Sequence, residues 1–222
     1  MKELNLLYKN RFTEREYWEK KSVWYVITIF FFQKYISEED VVLDVGAGYC
    51  EFINAVRAKK KIALDINKDV KEFANFDVEV VLNDCTNMCD IKSESIDVVF
   101  VSNLLEHMKD TDAIEQTLKE CKRVLKEKGK LLILQPNIKY AYKEYWDFFD
   151  HITPLSHKSL VEALKKVGFT IVEVKPKFLP YSSKSVKRVP KFGVFIKIYL
   201  KSRLLQRMFG KQMFIVAQRV KD

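Results

Sequence analysis

The 222-residue sequence predicts a doubly wound α/β domain, and three observations carry that expectation. Short apolar runs (Val41-Val42-Leu43, Ile62-Ala63-Leu64, Val78 to Leu82, Ile96 to Val101, Leu131 to Leu134) alternate with helical segments. The runs are continuous and rich in β-branched residues, as expected of parallel strands covered on both faces. The first of them ends in a turn with two glycines, where this architecture places its ligand site.

The elements follow in order. Residues 1–40 are predicted helical, because Tyr17, Trp18, Val23, Trp24, Ile27, Phe30 and Phe31 fall largely at three- and four-residue spacings. This helix is expected to pack on the domain, and its aromatic excess suits a roof over a site. The next clear helix runs from Asp110 to Lys128, with Ile114, Leu118, Cys121 and Leu125 on one stripe and Gly129 as its stop. Another has Ser156 as N-cap, Leu160, Leu164 and Val167 on its buried side, and Gly168 at its end. Strands Phe169 to Val174 and Gln212 to Val220 complete a set of seven. A basic insert of about residues 176–211 joins the last two, within a single domain spanning 1–222.

Apolar residues at 48%, with only 6 Gly and 5 Pro, exclude collagen-like, low-complexity and disordered chains. The net charge of +9 looks like a nucleic-acid signal until it is located. From Lys175 onward stand 13 Lys and Arg against one acid, so residues 1–174 are mildly acidic at −3. The charge belongs to the insert and last strand, and no RNA-binding motif accompanies it, so nucleic acid is disfavoured. Cys50, Cys85, Cys89 and Cys121 show no CxxC spacing and no Cys/His set at ligand spacing, so neither disulfide nor metal is expected. The charged N-terminus lacks a signal-peptide pattern, and Val23 to Phe32 is far short of the roughly 20 residues that span a bilayer. A reduced cytoplasmic setting is the expectation.

The turn after the first strand reads Asp44-Val45-Gly46-Ala47-Gly48-Tyr49-Cys50-Glu51. Glycines let the backbone turn tightly and let a ligand approach, and the following helix offers free N–H groups. Two nucleotide chemistries compete. A dinucleotide fingerprint, G-x-G-x-x-G, needs glycine where Glu51 stands, and Glu51 would oppose a pyrophosphate. S-adenosylmethionine has no phosphate and carries an ammonium and a sulfonium, so acids such as Asp44 favour it. Asp65 ends the second strand, where a carboxylate can take both hydroxyls of a ribose. Asp84 ends the third, suited to accept from an adenine amino group.

This series resembles the class I S-adenosylmethionine-dependent methyltransferases over about residues 40–175 and the last strand. Asp44, Gly46, Ala47 and Gly48 are similar to the family's glycine-rich motif, with Cys50 where a third glycine is frequent. Leu64-Asp65-Ile66 resembles the ribose-binding motif and Asn83-Asp84 the adenine-binding one. Ile96 to Ser102, followed by Asn103-Leu104-Leu105-Glu106-His107, resembles the fourth strand and its turn. Cys121 to Leu131 is similar to the helix and fifth strand. The resemblance implies strand order 3-2-1-4-5-7-6 with the seventh antiparallel. It also implies cofactor contacts at Asp44, Gly46, Ala47, Gly48, Asp65, Ile66, Asp84, Cys85, Ser102 and Asn103, and S-adenosylhomocysteine as product.

Two loops at the carboxyl ends of the strands remain for a substrate, Ser102 to Lys109 and Pro136 to Ser156. The second holds Tyr140, Tyr142, Tyr145, Trp146, Phe148 and Phe149, which suit either stacking on a substrate or covering the cofactor. Its segment Tyr145 to His151, then Pro154-Leu155-Ser156, resembles a subgroup acting in cell-surface glycan and glycolipid biosynthesis. A hydroxyl acceptor needs a base, and His107, His151 and His157 are the histidines available. His151 with Asp150 is the favoured pair, with His107 third; His157, next to a helix N-cap, reads as solvated. The function expected is methyl transfer to an oxygen of a sugar or glycolipid. The alternatives are an RNA, lipid or quinone acceptor, or cofactor binding without turnover. Val194 to Phe209 is expected to form a basic amphipathic helix, which suits either peripheral contact with an anionic inner membrane surface or packing on its own domain.

Overall fold

A computed structural model describes residues 14–181 and 193–221. Residues 1–13 of the predicted first helix, and Lys184, Lys187, Arg188 and Lys191 of the insert, lie outside the described residues. Helix α1 covers Glu14–Phe30, followed by a 3₁₀ turn at Phe32–Tyr35. There follow β1 (Val41–Val45), α2 (Glu51–Ala55), β2 (Lys60–Asp65), α3 (Val70–Phe73), β3 (Val78–Leu82) and β4 (Ile96–Ser102). Then come α4 (Thr111–Val124), β5 (Leu125–Pro136), α5 (Ile138–Tyr145), α6 (His157–Val167) and β6 (Phe169–Lys175). The chain closes with α7 (Gly193–Lys201), α8 (Arg203–Phe209) and β7 (Gln212–Arg219).

The seven strands form one sheet in the order β3-β2-β1-β4-β5-β7-β6. β1 pairs in parallel with both β2 and β4, and β7 runs antiparallel between β5 and β6. Successive strand residues point to opposite faces and both faces are dry, which is why the strands read as unbroken apolar runs. Leu43, Val99, Val101, Leu131 and Ile133 meet Leu118 and Cys121 of α4 and Leu160 and Leu164 of α6 on one face. Val42, Val98, Phe100, Leu132 and Leu134 meet Ile27 of α1, Phe31, Phe32 and Phe52 on the other.

Three expectations are corrected. The helix from Asp110 ends at Val124, because Leu125 turns extended, is fully buried and pairs with Ile96 of β4. Gly129 therefore does not stop a helix. A Cβ there would stand 2.9 Å from the Lys126 carbonyl and 3.1 Å from the Asp97 carbonyl, so glycine permits close backbone approach to β4. The segment Val194 to Phe209 is two helices and not one, since Ser202 breaks it and caps α8 by accepting from the Leu205 N–H. The connection Pro136 to Ser156, read as a loop, contains α5, started by Asn137 accepting from the Lys139 N–H. The α6 expectation holds: Ser156 and Ser159 form a reciprocal capping box, and Gly168 ends the helix at φ +92°. Among the described residues no helix is long and apolar enough to cross a membrane.

Candidate active site

Strand order reverses between β1 and β4, so the turns after these strands open a crevice at the carboxyl edge. The β1 turn is built by backbone geometry. Gly46 and Ala47 donate their N–H groups to the Leu64 carbonyl at 2.8 and 3.2 Å, and Gly46 sits at φ +72°. A Cβ on Gly46 would stand 2.9 Å from Leu104 Cδ1, so the turn after β4 packs directly on this glycine. Beyond Gly48 a Cβ would meet nothing within 4 Å, which leaves open space above the turn. Cys50, at the position of the resembled motif's third glycine, itself adopts the left-handed conformation at φ 57°. The missing third glycine is thus accommodated in backbone shape, at a strain of about 1–2 kcal/mol.

Three carboxylates gather at this turn. Asp65 Oδ2 accepts from the Gly48 N–H and its Oδ1 from the Asn67 N–H, each at 2.8 Å. Asp44 is buried; loss of water, then the charges of Glu51 and Asp65, push its carboxyl well above the usual range, against an N–H bond from Ile53. Glu51 meets Lys20 of α1 at 2.9 Å, and Lys20 also lies 5.2 Å from the centre of the Tyr49 ring. The N-terminal helix therefore reaches the turn with a lysine, and its Ile27 packs into the core. Crowded carboxylates disfavour an anionic ligand and favour a cationic one. This donor set, with the open space over Gly48, fits S-adenosylmethionine and opposes a pyrophosphate.

The other expected cofactor residues divide. Ile66 is exposed beside Asp65, and Ser102 ends β4, half-buried. Asn103 adopts φ 46° and donates its N–H to the Leu134 carbonyl at 2.9 Å, which bends the chain off β4. Asp84 Oδ1 accepts from both the N–H and the hydroxyl of Thr86, so the carboxylate already organises its own turn. The Cys85 thiol is buried against Thr117 and Met108, so only its backbone can serve a ligand at the turn.

His107, Asp150 and His151 come together across the crevice. His107 Nδ1 lies 2.8 Å from the Asp150 carbonyl and 3.4 Å from Asp150 Oδ2, and the two histidine rings are 5.0 Å apart. Backbone bonds from Ile152 and Thr153 to the Glu106 carbonyl hold the two loops in register. His151 is buried, stacked on Phe148 at 4.9 Å, with Nδ1 3.1 Å from the Tyr181 hydroxyl. His157, read as solvated, is half-buried instead: it pairs with the Asn137 amide at 3.0 Å and stacks with Tyr140. The aromatic loop also splits. Tyr145 is wholly buried and Phe148 supports His151, whereas Tyr142, Trp146 and Phe149 are exposed, Phe149 at 93%.

Sequence reasoning missed Glu106, Gln135 and Tyr181. Glu106 is 1% exposed, accepts from the Gln135 amide at 2.6 Å, and has its carboxyl pushed up by burial. A charged residue directly between Leu104-Leu105 and His107 was the available signal. Tyr181 and Gln135 carried none.

Residues 43–133 match the family described as a methyltransferase domain. An uncharacterised protein of Methanocaldococcus jannaschii is 33% identical over 132 residues, covering 57% of this chain and 55% of that protein. The chain thus spans about half the length of this curated relative. A solved S-adenosylmethionine-dependent methyltransferase from Archaeoglobus fulgidus superposes with TM-score 0.64 at 23% identity, over 87% of this chain and 92% of that one. Another from Methanosarcina mazei gives TM-score 0.60 at 17% identity, over 86% and 98%. These likenesses are of fold, and the sheet order is the one expected. The domain match covers less than half of the chain, and with it these likenesses show a methyltransferase-like fold.

Proposed function

We propose that the protein transfers a methyl group from S-adenosylmethionine to a hydroxyl oxygen of a sugar or glycolipid. The observation that carries the cofactor half is the cluster of Asp44, Glu51 and Asp65 at the glycine turn, suited to a cationic ligand. When bound, the cofactor supplies a methyl group activated by a positive sulfur. Asp65 takes the ribose hydroxyls, and the open backbone at Gly48 lets the ligand approach. Asp84, Ile66, Ser102 and Asn103 border the rest of the cofactor.

The acceptor half rests on the polar cluster and on the exposed rings beside it. His107 Nδ1–H donates to the Asp150 carbonyl, which leaves the Nε2 lone pair to take a proton from an acceptor hydroxyl. His151, fixed by Phe148 and Tyr181, lines the same place. Tyr142, Trp146 and Phe149 offer flat apolar faces on which a sugar ring can stack. A screen of glycan, glycolipid, quinone and RNA acceptors with labelled methyl donor tests the assignment. With the active acceptor, His107→Gln, which removes that proton acceptor, is expected to lower kcat by about 10²-fold, and Asp150→Asn and His151→Gln, beside it, to lower it by less. S-adenosylmethionine affinity should stay within about threefold, and full activity in all three variants would make the cluster structural.

The C-terminal helices support a membrane-surface role. Val194, Phe195, Ile198, Leu204, Met208 and Phe209 are exposed, interleaved with Lys197, Lys201, Arg203 and Arg207. Exposed apolar groups ringed by cations suit the interface of an anionic bilayer. Vesicles containing anionic lipid should float the protein at low salt, while neutral vesicles should not. Equal recovery with both, or with neither, would remove the membrane from this reading.

A further inference from the structure

The geometry points to a divalent metal site formed by Glu106, His107 and His151. Each offers a donor atom, and the three atoms lie within 4.8 Å of one another. Donors around a single ion at about 2.1 Å stand about 3–4 Å apart, so binding draws the three inward by about 1 Å. Glu106 and His107 come from the turn after β4, and His151 from beyond α5. The backbone bonds from Ile152 and Thr153 to Glu106 hold those segments together.

The surroundings fit ligation. Metal-binding imidazoles ordinarily donate their other ring N–H to an acceptor, which fixes tautomer and orientation. His107 Nδ1 does this with the Asp150 carbonyl at 2.8 Å. His151 Nδ1 stands 3.1 Å from the Tyr181 oxygen, a contact that orients its ring within the cluster. Glu106 keeps an oriented carboxylate through the Gln135 amide at 2.6 Å. It is also a buried acid with no Lys or Arg ion pair among the described residues, which is costly without a cation. Two wholly or almost wholly buried polar atoms adjoin the cluster without a hydrogen-bond partner among the described residues, the Tyr145 hydroxyl and Gln135 Oε1. The Tyr145 ring lies 4.7 Å from that of His151, and Gln135 is the residue that holds Glu106, so both are placed to bond a water on the ion.

Two imidazoles and one carboxylate, with positions left open, suit a borderline first-row ion such as Mn²⁺, Co²⁺ or Zn²⁺ over Ca²⁺. The proposal rests on the methyl-transfer reading in one respect only. With the ion bound, His107 Nε2 becomes a ligand, and the ion would instead acidify an acceptor hydroxyl resting on it, whose proton passes to water.

The test uses chelator-stripped, tag-free full-length protein titrated with Co²⁺ and Mn²⁺, with Mg²⁺ alongside. One Co²⁺ per chain is expected, with visible d–d bands and no thiolate charge-transfer band, which excludes the exposed Cys89 as the ligand. Glu106→Gln and His151→Gln should each weaken binding at least tenfold while the circular dichroism spectrum is retained. If a variant does not fold, the wild-type Co²⁺ spectrum still reads the ligand set. Absence of Co²⁺ binding up to millimolar concentration, a thiolate spectrum, or unchanged affinity in folded variants would overturn the site. Parallel titration with S-adenosylmethionine separates the two readings. Cofactor binding without metal binding sinks this proposal alone, and metal binding without cofactor binding sinks only the transfer reading.

Discussion

Asp65→Ala is expected to abolish measurable binding of S-adenosylmethionine and S-adenosylhomocysteine while leaving the protein folded. Charge-assisted hydrogen bonds are worth about 1.5–3 kcal/mol each, and a carboxylate spanning a ribose makes two. The loss is then about 3–6 kcal/mol, or about 10²–10⁴-fold in Kd. Asp65 also organises the site before any ligand arrives, because its two oxygens hold the N–H groups of Gly48 and Asn67. Removing it frees the turn as well as the contact. Asp65→Asn keeps the shape but replaces one acceptor with a donor, so it should fall between wild type and Ala. Calorimetric titration reads all three proteins, and wild-type affinity in the Ala variant would dismiss Asp65 as the ribose residue.

Phe100→Ala should produce the largest loss of stability, about 3–5 kcal/mol. Phe100 is fully buried, stacked on Phe52 at 3.8 Å and set edge-on to Phe32 at 5.0 Å and to Trp24 at 6.4 Å. It stands beside Asp44 in the parallel pairing of β1 with β4, so it also backs the glycine turn. Truncation opens a cavity between the sheet and three helical segments that cannot all collapse into it. For a chain of this length the unfolding midpoint should fall by about 6–20 °C. Phe100→Leu, which keeps much of the volume, should cost about 1.5 kcal/mol or less. Denaturant unfolding decides, and an Ala penalty under about 1 kcal/mol would contradict the packing described.

Much of the fold was legible because its signals are local. Val98 to Val101 reads as a two-faced strand since Val99 and Val101 enter one core while Val98 and Phe100 enter the other. Ser156 and Gly168 bracket α6 through capping chemistry that needs no distant partner. The errors fell where a distant partner decides. Leu125 lies on the apolar stripe of α4, yet it leaves the helix to pair with Ile96. Ser202 carries a cap that competes with helix continuation, and periodicity alone did not weigh that competition.

The sequence by itself determined the α/β architecture and the glycine turn with its acids, because periodicity, turn chemistry and charge act over a few residues. It also located the candidate loops, since aromatics and histidines stand out against ordinary connections. Only the tertiary structure decided which of these side chains meet. His107 and His151 are 44 positions apart, and their juxtaposition depends on the backbone bonds from Ile152 and Thr153 to Glu106. Burial, too, is a property of the whole packing: it made Glu106 a dry carboxylate beside two imidazoles, and it sent Tyr145 inward while leaving Trp146 and Phe149 exposed. Composition and spacing are blind to such divisions, because the neighbours that remove water from a side chain come from distant segments of the chain.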